Sequence, residues 1–161
     1  MNATMFARSR LVPAPPDQVW ATLAAFDQIS RWAANVDHSA YTTAATEGLG
    51  IARRVQAGRI AVIETVIEWE RPTRLAYTLD GLPPLARSVV NRWALEPAPG
   101  GTTATLTTVV EPLSGPRGRV GTKILGAILT RAADAMLTGL AAHDHAVHDH
   151  AAHDHEGTTT P

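Results

Sequence analysis

Cysteine is absent from this sequence of 161 residues, so the chain holds no disulfide, no thiolate nucleophile and no cysteine-ligated zinc. Lysine is nearly absent too: Lys123 stands alone beside thirteen arginines, and with abundant alanine this composition is typical of a GC-rich bacterial genome. No apolar run approaches the roughly 20 residues that span a membrane, and the N-terminus lacks the apolar core of a signal peptide. These absences predict a soluble, cytoplasmic protein.

Charge is divided unevenly along the chain. Residues 1–142 carry every Lys and Arg and a net charge of +3, whereas residues 143–161 carry four acids, no Lys or Arg and, with histidine neutral, a net charge of −4. The basic residues are scattered, without the clustered stripe of a nucleic-acid surface, so nucleic-acid binding is not expected. A single folded domain is predicted over residues 1–142, long enough to bury a core, with a disordered tail over residues 143–161.

Periodicity along the chain predicts one strand, two short helices, about six further strands and one long helix. The strand covers residues 5–12, the helices 16–33, the further strands 36–113 and the last helix 117–142. Sustained alternation of period two favours an antiparallel sheet with one solvated face. The last helix collects its apolar residues within about 160° of its circumference: Ile124, Leu125, Ile128, Leu129, Ala132, Met136 and Leu140.

That apolar stripe has to be buried against a partner. The inner face of a curved sheet is the expected one, and a membrane surface is the alternative. The alternative is disfavoured because the polar face of the helix is poor in Lys and Arg. In the strand at residues 60–70, alternation places Glu64, Glu68 and Glu70 on the solvated face, so no pair of catalytic carboxylates is predicted there. The inward residues of that strand are then Ala61, Ile63, Thr65, Ile67 and Trp69.

Three stretches resemble a known family: PAPPDQVWATLAAFDQISRWAANV, IEWERPTRLAYTLDG and NRWALEPAPGGTTATLTTVVE. They are similar to polyketide cyclase/dehydrase-type proteins of the START-like (SRPBCC, helix-grip) superfamily, and the resemblance covers residues 5–142. It implies an α+β helix-grip fold, in which a curved antiparallel sheet of about seven strands wraps a long C-terminal helix, with two short helices after strand 1. It further implies a cavity between sheet and helix for a mostly apolar, lipid- or polyketide-like molecule. No catalytic motif transfers.

Polar side chains at inward positions need a partner, which in a cavity is water or a ligand. Asn91, flanked by Val89 and Trp93, is the foremost candidate. His38 is the only histidine before the tail, and no nucleophile elbow accompanies it. A polar group at the cavity mouth is its functional interpretation, and a histidine that is solvated, or that only supports a neighbouring site residue, is the alternative. Core packing is the alternative for the tyrosine and the tryptophans. The predicted ligand-binding residues are Trp32, His38, Thr65, Tyr77, Arg87, Asn91, Trp93 and Thr108.

The tail contains three five-residue repeats, AAHDH, AVHDH and AAHDH, over residues 141–155. Neutral imidazole is a common ligand of zinc, nickel and copper, so a flexible chelating tail is one interpretation. A repeat-expanded, solvated tail without a selected role is the other. The predicted metal ligands are His143, His145, His148, His150, His153 and His155.

Three functions stay open at this point. The first is binding of a hydrophobic or aromatic small molecule, with no cofactor required and no catalytic residue assigned. The second is a polyketide aromatase/cyclase or dehydratase, which works by orienting its substrate and excluding water. The third is a metal-handling protein whose tail binds Zn²⁺ or Ni²⁺. The expected partners are therefore a hydrophobic small molecule and a divalent metal, without nucleic acid or integral membrane association.

Overall fold

The structure is a computed structural model that describes residues 2–156, with side chains described for residues 2–152. The N-terminal part consists of β1 (Thr4–Val12), α1 (Pro16–Ala24) and a 3₁₀ helix (Phe26–Arg31). Six strands and one helix follow: β2 (His38–Tyr41), β3 (Ala52–Ala57), β4 (Ile60–Glu70), β5 (Arg74–Asp80), β6 (Ala86–Ala98), β7 (Gly101–Pro112) and α2 (Pro116–Glu156).

The seven strands form one antiparallel sheet in the order β1-β7-β6-β5-β4-β3-β2. Strands β2 to β7 therefore follow one another as a meander, and β1 closes the other edge by pairing with β7. Two-residue turns join β3 to β4 and β6 to β7, and longer connections join the other strands. Gly58 turns the chain between β3 and β4 with a φ of +59°, a conformation that glycine adopts without strain. The predicted helix-grip fold, with about seven strands and two short helices after the first, is confirmed.

Helix α2 lies across the inner face of the sheet, against β1 and β7. It buries Leu125, Leu129, Met136, Leu137 and Leu140 there. The approach is close at two glycines. A Cβ atom at Gly126 would overlap the ring of Phe6, and one at Gly139 would overlap the backbone carbonyl of Trp32. Small residues thus set the distance between α2 and its neighbours.

The predicted apolar stripe of α2 is wider than the stripe that is buried. Ile124 and Ile128 were expected to face the sheet, but they are 48% and 53% exposed. The helix leans towards β1 and β7, at one edge of the sheet, so the border of the stripe farthest from that edge stays in solvent. The prediction of a buried Ile124 and Ile128 is wrong for this reason.

The end of α2 also differs from the prediction. The helix continues through Glu156, so residues 143–156 are helical rather than disordered, whereas the domain boundary at Ala142 stays a prediction. Asp144 is fully buried, accepts a hydrogen bond from Thr22 Oγ1 (2.5 Å) and offers its backbone carbonyl to Gln18 Nε2 (2.9 Å). Helix α1 therefore supplies polar partners beyond the end of the apolar pattern. Residues 157–161 of the predicted tail lie outside the described residues.

By length and composition alone, the Pro116–Ala152 part of α2 could cross a membrane. In this fold it is the core helix, since its leucines close the interior of the sheet. The burial of Leu125, Leu137 and Leu140 accounts for its apolar character.

Strand β4 contains a bulge that reverses the predicted direction of its side chains. Val62, Glu64 and Val66 are buried on the inner face, whereas Ile63 and Ile67 are 37% and 46% exposed. The register with β5 shifts between Val66 and Glu68, so that Trp69 returns to the inner face beside Trp20, with ring centroids 5.2 Å apart. One extra residue in a strand exchanges its two faces. The inward assignment of Ala61, Ile63, Thr65 and Ile67 is therefore wrong, as is the solvated assignment of Glu64.

Candidate functional site

A cavity of about 140 Å³ lies between α2 and the inner face of the sheet. On the helix side it is bounded by Ile128, Leu129 and Met136, with Ala132 and Ala133 between them. The alanines leave the space unfilled where longer side chains would reach the strands. The lining is mostly apolar and also includes Ile29, Val36, Val55, Val62, Leu79, Leu82 and Leu106.

The cavity opens to solvent through an apolar mouth. We place this mouth at four lining residues that keep exposed surface: Ile60 on the β3–β4 hairpin, Leu82 on the β5–β6 connection, Ile128 on α2, and Asn35. Ile60 is 42% exposed. Two hairpin tips and one helix border meet here, and the exposed side chains that they contribute are mostly apolar.

The floor of the cavity carries two polar side chains on neighbouring strands. Asn91 of β6 and Thr108 of β7 are register partners on the inner face, and both are buried. Thr108 Oγ1 donates a hydrogen bond to Asn91 Oδ1 at 2.7 Å. The predicted inward direction of Asn91 and Thr108 is confirmed, because alternation along β6 and β7 continues unbroken there.

Tyr77 lies beside Asn91 in the same row of the sheet, on β5, and is completely buried. Its hydroxyl oxygen accepts a hydrogen bond from Trp93 Nε1 at 3.3 Å. Burial, and after it the negative charge of Glu64, raises the pKa of Tyr77 to about 12. Tyr77 is thus a neutral phenol at physiological pH and lies next to Asn91, outside the cavity lining.

A buried ion pair forms one side of the cavity. Arg53 on β3 and Glu64 on β4 are register partners, and Arg53 Nε and Nη2 each lie 2.6 Å from Glu64 Oε2. Arg53 Nη1 donates to the carbonyl oxygen of Phe26, and its guanidinium group lies 3.7 Å from the centre of the Phe26 ring. Glu64 reaches the cavity surface; Arg53 does not. The pair places a carboxylate on an otherwise apolar lining.

The remaining predicted ligand-binding residues lie elsewhere. Tyr77 and Trp93 are core residues next to the cavity rather than part of its lining. Trp32 packs edge-on against Trp93, with ring centroids 6.4 Å apart, and faces a surface groove shared with His143. His38 is exposed on β2. Thr65 is on the outer face because of the β4 bulge.

The predicted inward position of Arg87 is also wrong. The register between β6 and β7 shifts between Ala86 and Ser88, which leaves Arg87 exposed at an irregular position. Sequence reasoning in turn missed Arg53, Glu64 and Asn35. Alternation over Val62, Glu64 and Val66 could have indicated that Glu64 faces inwards. Ile63 and Ile67 make the opposite face of the strand equally apolar, so the sequence pattern does not decide which face is buried.

The histidine-rich segment forms the exposed end of α2. His143 is half-buried, whereas His145, His148 and His150 are exposed, and His145 Nε2 lies 3.4 Å from Asp149 Oδ2. Within the residues that the structure describes, no three His, Asp or Glu side chains converge on a point that could hold a metal ion. His153 and His155 lie beyond the described side chains. Zinc or nickel binding by this segment stays a prediction.

Comparison with known proteins places this geometry in context. Residues 3–143 match the family described as polyketide cyclase / dehydrase and lipid transport. No curated protein sequence matches the chain.

Solved structures with a similar fold include two aromatase/cyclases. The Zhui aromatase/cyclase from Streptomyces sp. R1128 is 18% identical, with a TM-score of 0.71 over 89% of this chain and 94% of that one. The di-domain ARO/CYC BexL from the BE-7585A biosynthetic pathway is 17% identical, with a TM-score of 0.74; the match covers 88% of this chain and 50% of that one. Ara h 8.0201 is 16% identical, with a TM-score of 0.65 over 86% and 98% of the two chains. At these identities the likeness shows a shared fold.

Proposed function

The chain belongs to the polyketide cyclase/dehydrase and lipid transport family, and from this membership we propose that it binds a small, mostly apolar molecule in the cavity beneath α2. The single observation that carries the proposal is the cavity itself. It has an apolar lining, an apolar mouth and a few polar side chains, Glu64, Asn91 and Thr108, which are the features of a small-molecule site.

The size of the cavity restricts the ligand. Pockets for drug-sized molecules measure about 300–1,000 Å³. An apolar cavity of about 150 Å³ binds benzene. At about 140 Å³, this cavity suits one aromatic ring or a short aliphatic chain, with any longer part of the ligand passing out through the mouth. A ring-sized apolar group is therefore the proposed ligand class.

Titration with p-xylene, measured by isothermal calorimetry, tests this proposal because p-xylene carries no polar group and reports on shape and apolar burial alone. We expect saturable binding at a ratio of one to one. Ala133→Met should remove it, since Ala133 is buried in the lining and the longer side chain fills the space.

Ala127→Met is the matched control, because it makes the same change at an exposed position of the same helix that does not line the cavity. Binding of p-xylene should survive it. Absence of binding to the unaltered protein, or equal loss in both variants, would refute the proposed site. Thermal melting of each variant verifies that it is folded.

A polyketide aromatase/cyclase or dehydratase is the second candidate. Its supporting observation is Glu64, the one titratable side chain in the cavity lining described by the structure, which could accept a proton from a carbon acid. The volume argues against it, because an extended polyketide chain needs a pocket in the range of hundreds of Å³. Binding without catalysis is therefore preferred here, and the cytoplasmic location predicted from the sequence stays a prediction.

A further inference from the structure

The cavity lining is apolar apart from Asn35, Glu64, Asn91 and Thr108, and it presents no cation. Among its described lining residues Glu64 alone is charged, and no Lys, Arg or His side chain reaches the lining. Arg53 balances the charge of Glu64 from the side away from the cavity, and its own contacts prevent its guanidinium group from turning towards a ligand. Its Nε and Nη2 are bonded to Glu64 Oε2, its Nη1 to the Phe26 carbonyl, and the Phe26 ring covers its plane.

One oxygen of Glu64 remains free for a ligand. Both contacts from Arg53 end on Oε2, and within the described part of the chain no hydrogen bond ends on Oε1. Oε1 is nevertheless not fully buried, because the fully buried polar atoms without a partner do not include it. It therefore adjoins the open volume of the cavity.

Asn35 also lines the cavity, but its Oδ1 is a different case from Glu64 Oε1. Asn35 Oδ1 has no hydrogen-bond partner in the described structure and no exposed surface, so a ligand in the cavity cannot reach it. The free acceptor of the cavity is therefore Glu64 Oε1.

We propose that the cavity selects a neutral ligand that donates a hydrogen bond, such as a phenol or an alcohol, and rejects carboxylates. This inference rests on the proposed function and names its ligand class. A donor hydroxyl would bond Glu64 Oε1, whose negative charge makes it the stronger acceptor. A ligand carboxylate would lose its hydration and meet Glu64 without any cation to offset either effect.

Three para-substituted toluenes of similar shape test the inference in the unaltered protein at pH 7. p-Cresol donates a hydrogen bond and stays neutral, since phenols titrate near pH 10; p-xylene has a methyl group in the same place; 4-methylbenzoate is an anion. In a cavity without a free acceptor, p-xylene binds more tightly than p-cresol, because the hydroxyl must be dehydrated without replacement. We expect the opposite order, with p-cresol about tenfold tighter than p-xylene, as one bond to a charged group allows, and 4-methylbenzoate weaker than both.

The outcomes separate the inference from the function on which it rests. If p-xylene binds as tightly as p-cresol or more tightly, or if 4-methylbenzoate binds best, the selection is wrong while the cavity site stands. If none of the three binds, both are wrong. Calorimetry gives all three affinities on one protein preparation.

A double variant examines the source of the selection. Glu64→Leu alone would leave Arg53 as an unpaired buried charge and could unfold the protein, so Glu64→Leu is combined with Arg53→Met, which replaces the pair by apolar side chains of similar volume. In this variant p-xylene should bind more tightly than p-cresol. An unchanged preference for p-cresol would assign the donor contact elsewhere. Should the double variant fail to fold, the ranking in the unaltered protein still decides.

Discussion

Two sections of helix α2 lie across the same sheet, but one is closely packed and the other leaves a cavity. The packed section, residues 137–144, buries Leu137, Leu140 and Ala141 in the large hydrophobic cluster and ends on Asp144 against α1. The cavity section, residues 128–136, carries two alanines over the sheet and leaves Ile128 at an open mouth.

The difference between the sections is one of side-chain volume rather than of polarity. Both are apolar towards the sheet, but the packed section brings leucines to its contacts, and its Gly139 admits the backbone of Trp32. The cavity section brings Ala132 and Ala133, opposite strands that supply Asn91 and Thr108. Interiors are otherwise close-packed, so a gap of this size above a polar floor supports the proposed binding site. Under the proposed function, the packed section holds the helix in place while a ligand occupies the cavity section.

Truncation of a side chain in each section should give the largest contrast. Leu140 is fully buried, so Leu140→Ala should lower the free energy of unfolding by about 2–5 kcal/mol. Ile128→Ala removes a side chain that is 53% exposed and should change it by about 0.5 kcal/mol or less. Urea denaturation measures both. Similar losses in the two variants would mean that the cavity section is as tightly packed as its neighbour.

The polar floor of the cavity allows a second contrast, of intermediate size. Thr108→Val removes the donor to Asn91 and leaves a buried acceptor unpaired, which should cost about 1–3 kcal/mol. Thr105→Val is its control on the same strand: Thr105 shares a hydrogen bond of the same length, 2.7 Å, with Ser9, but on the exposed outer face. Its cost should stay within about 0.5 kcal/mol. Equal costs would show that water already replaces the Thr108 bond.

The smallest expected effect concerns Asp144 at the end of the packed section. Burial raises the pKa of this carboxyl, although the hydrogen bond from Thr22 and the charge of His143 oppose the rise. The folded state therefore holds the proton more firmly than the unfolded chain, whose aspartates titrate near pH 3.9. The stabilisation from Asp144 is present below that pH and is lost as the pH rises through the folded pKa.

Asp144→Asn keeps an acceptor for Thr22 and removes the charge. The variant should be at least as stable as the unaltered protein at pH 7, and its relative advantage should shrink towards pH 4. Thermal melting of the two proteins across this pH range measures the difference, in which the other titrating groups cancel. A variant whose relative stability increases on acidification would contradict the assigned sign.

Much of the inner surface could be predicted from the sequence. Strands β5, β6 and β7 alternate without interruption near the cavity, so Tyr77, Asn91, Trp93 and Thr108 were correctly placed inside. The resemblance to the family correctly implied the fold and the cavity between sheet and helix. Local periodicity suffices where a strand is regular, because successive side chains of a strand point to opposite faces.

The charged side of the cavity could not be predicted in this way. Strand β4 is apolar on both faces, with Val62 and Val66 on one and Ile63 and Ile67 on the other, so its pattern fits either direction. Only pairing with β5 introduces the bulge that returns Trp69 to the core and leaves Glu64 inside. The irregular register after Ala86 displaced Arg87 for a similar reason.

The sequence by itself determined the order of elements, the single core and the long apolar helix that closes it, because these follow from local periodicity and from composition. The tertiary structure alone decided where that helix leaves a gap, that it continues past Ala142, and which acid faces the gap. These features depend on register between strands and on side-chain volume across an interface. Residues distant in the chain, such as Arg53 with Glu64 and Thr22 with Asp144, set them together.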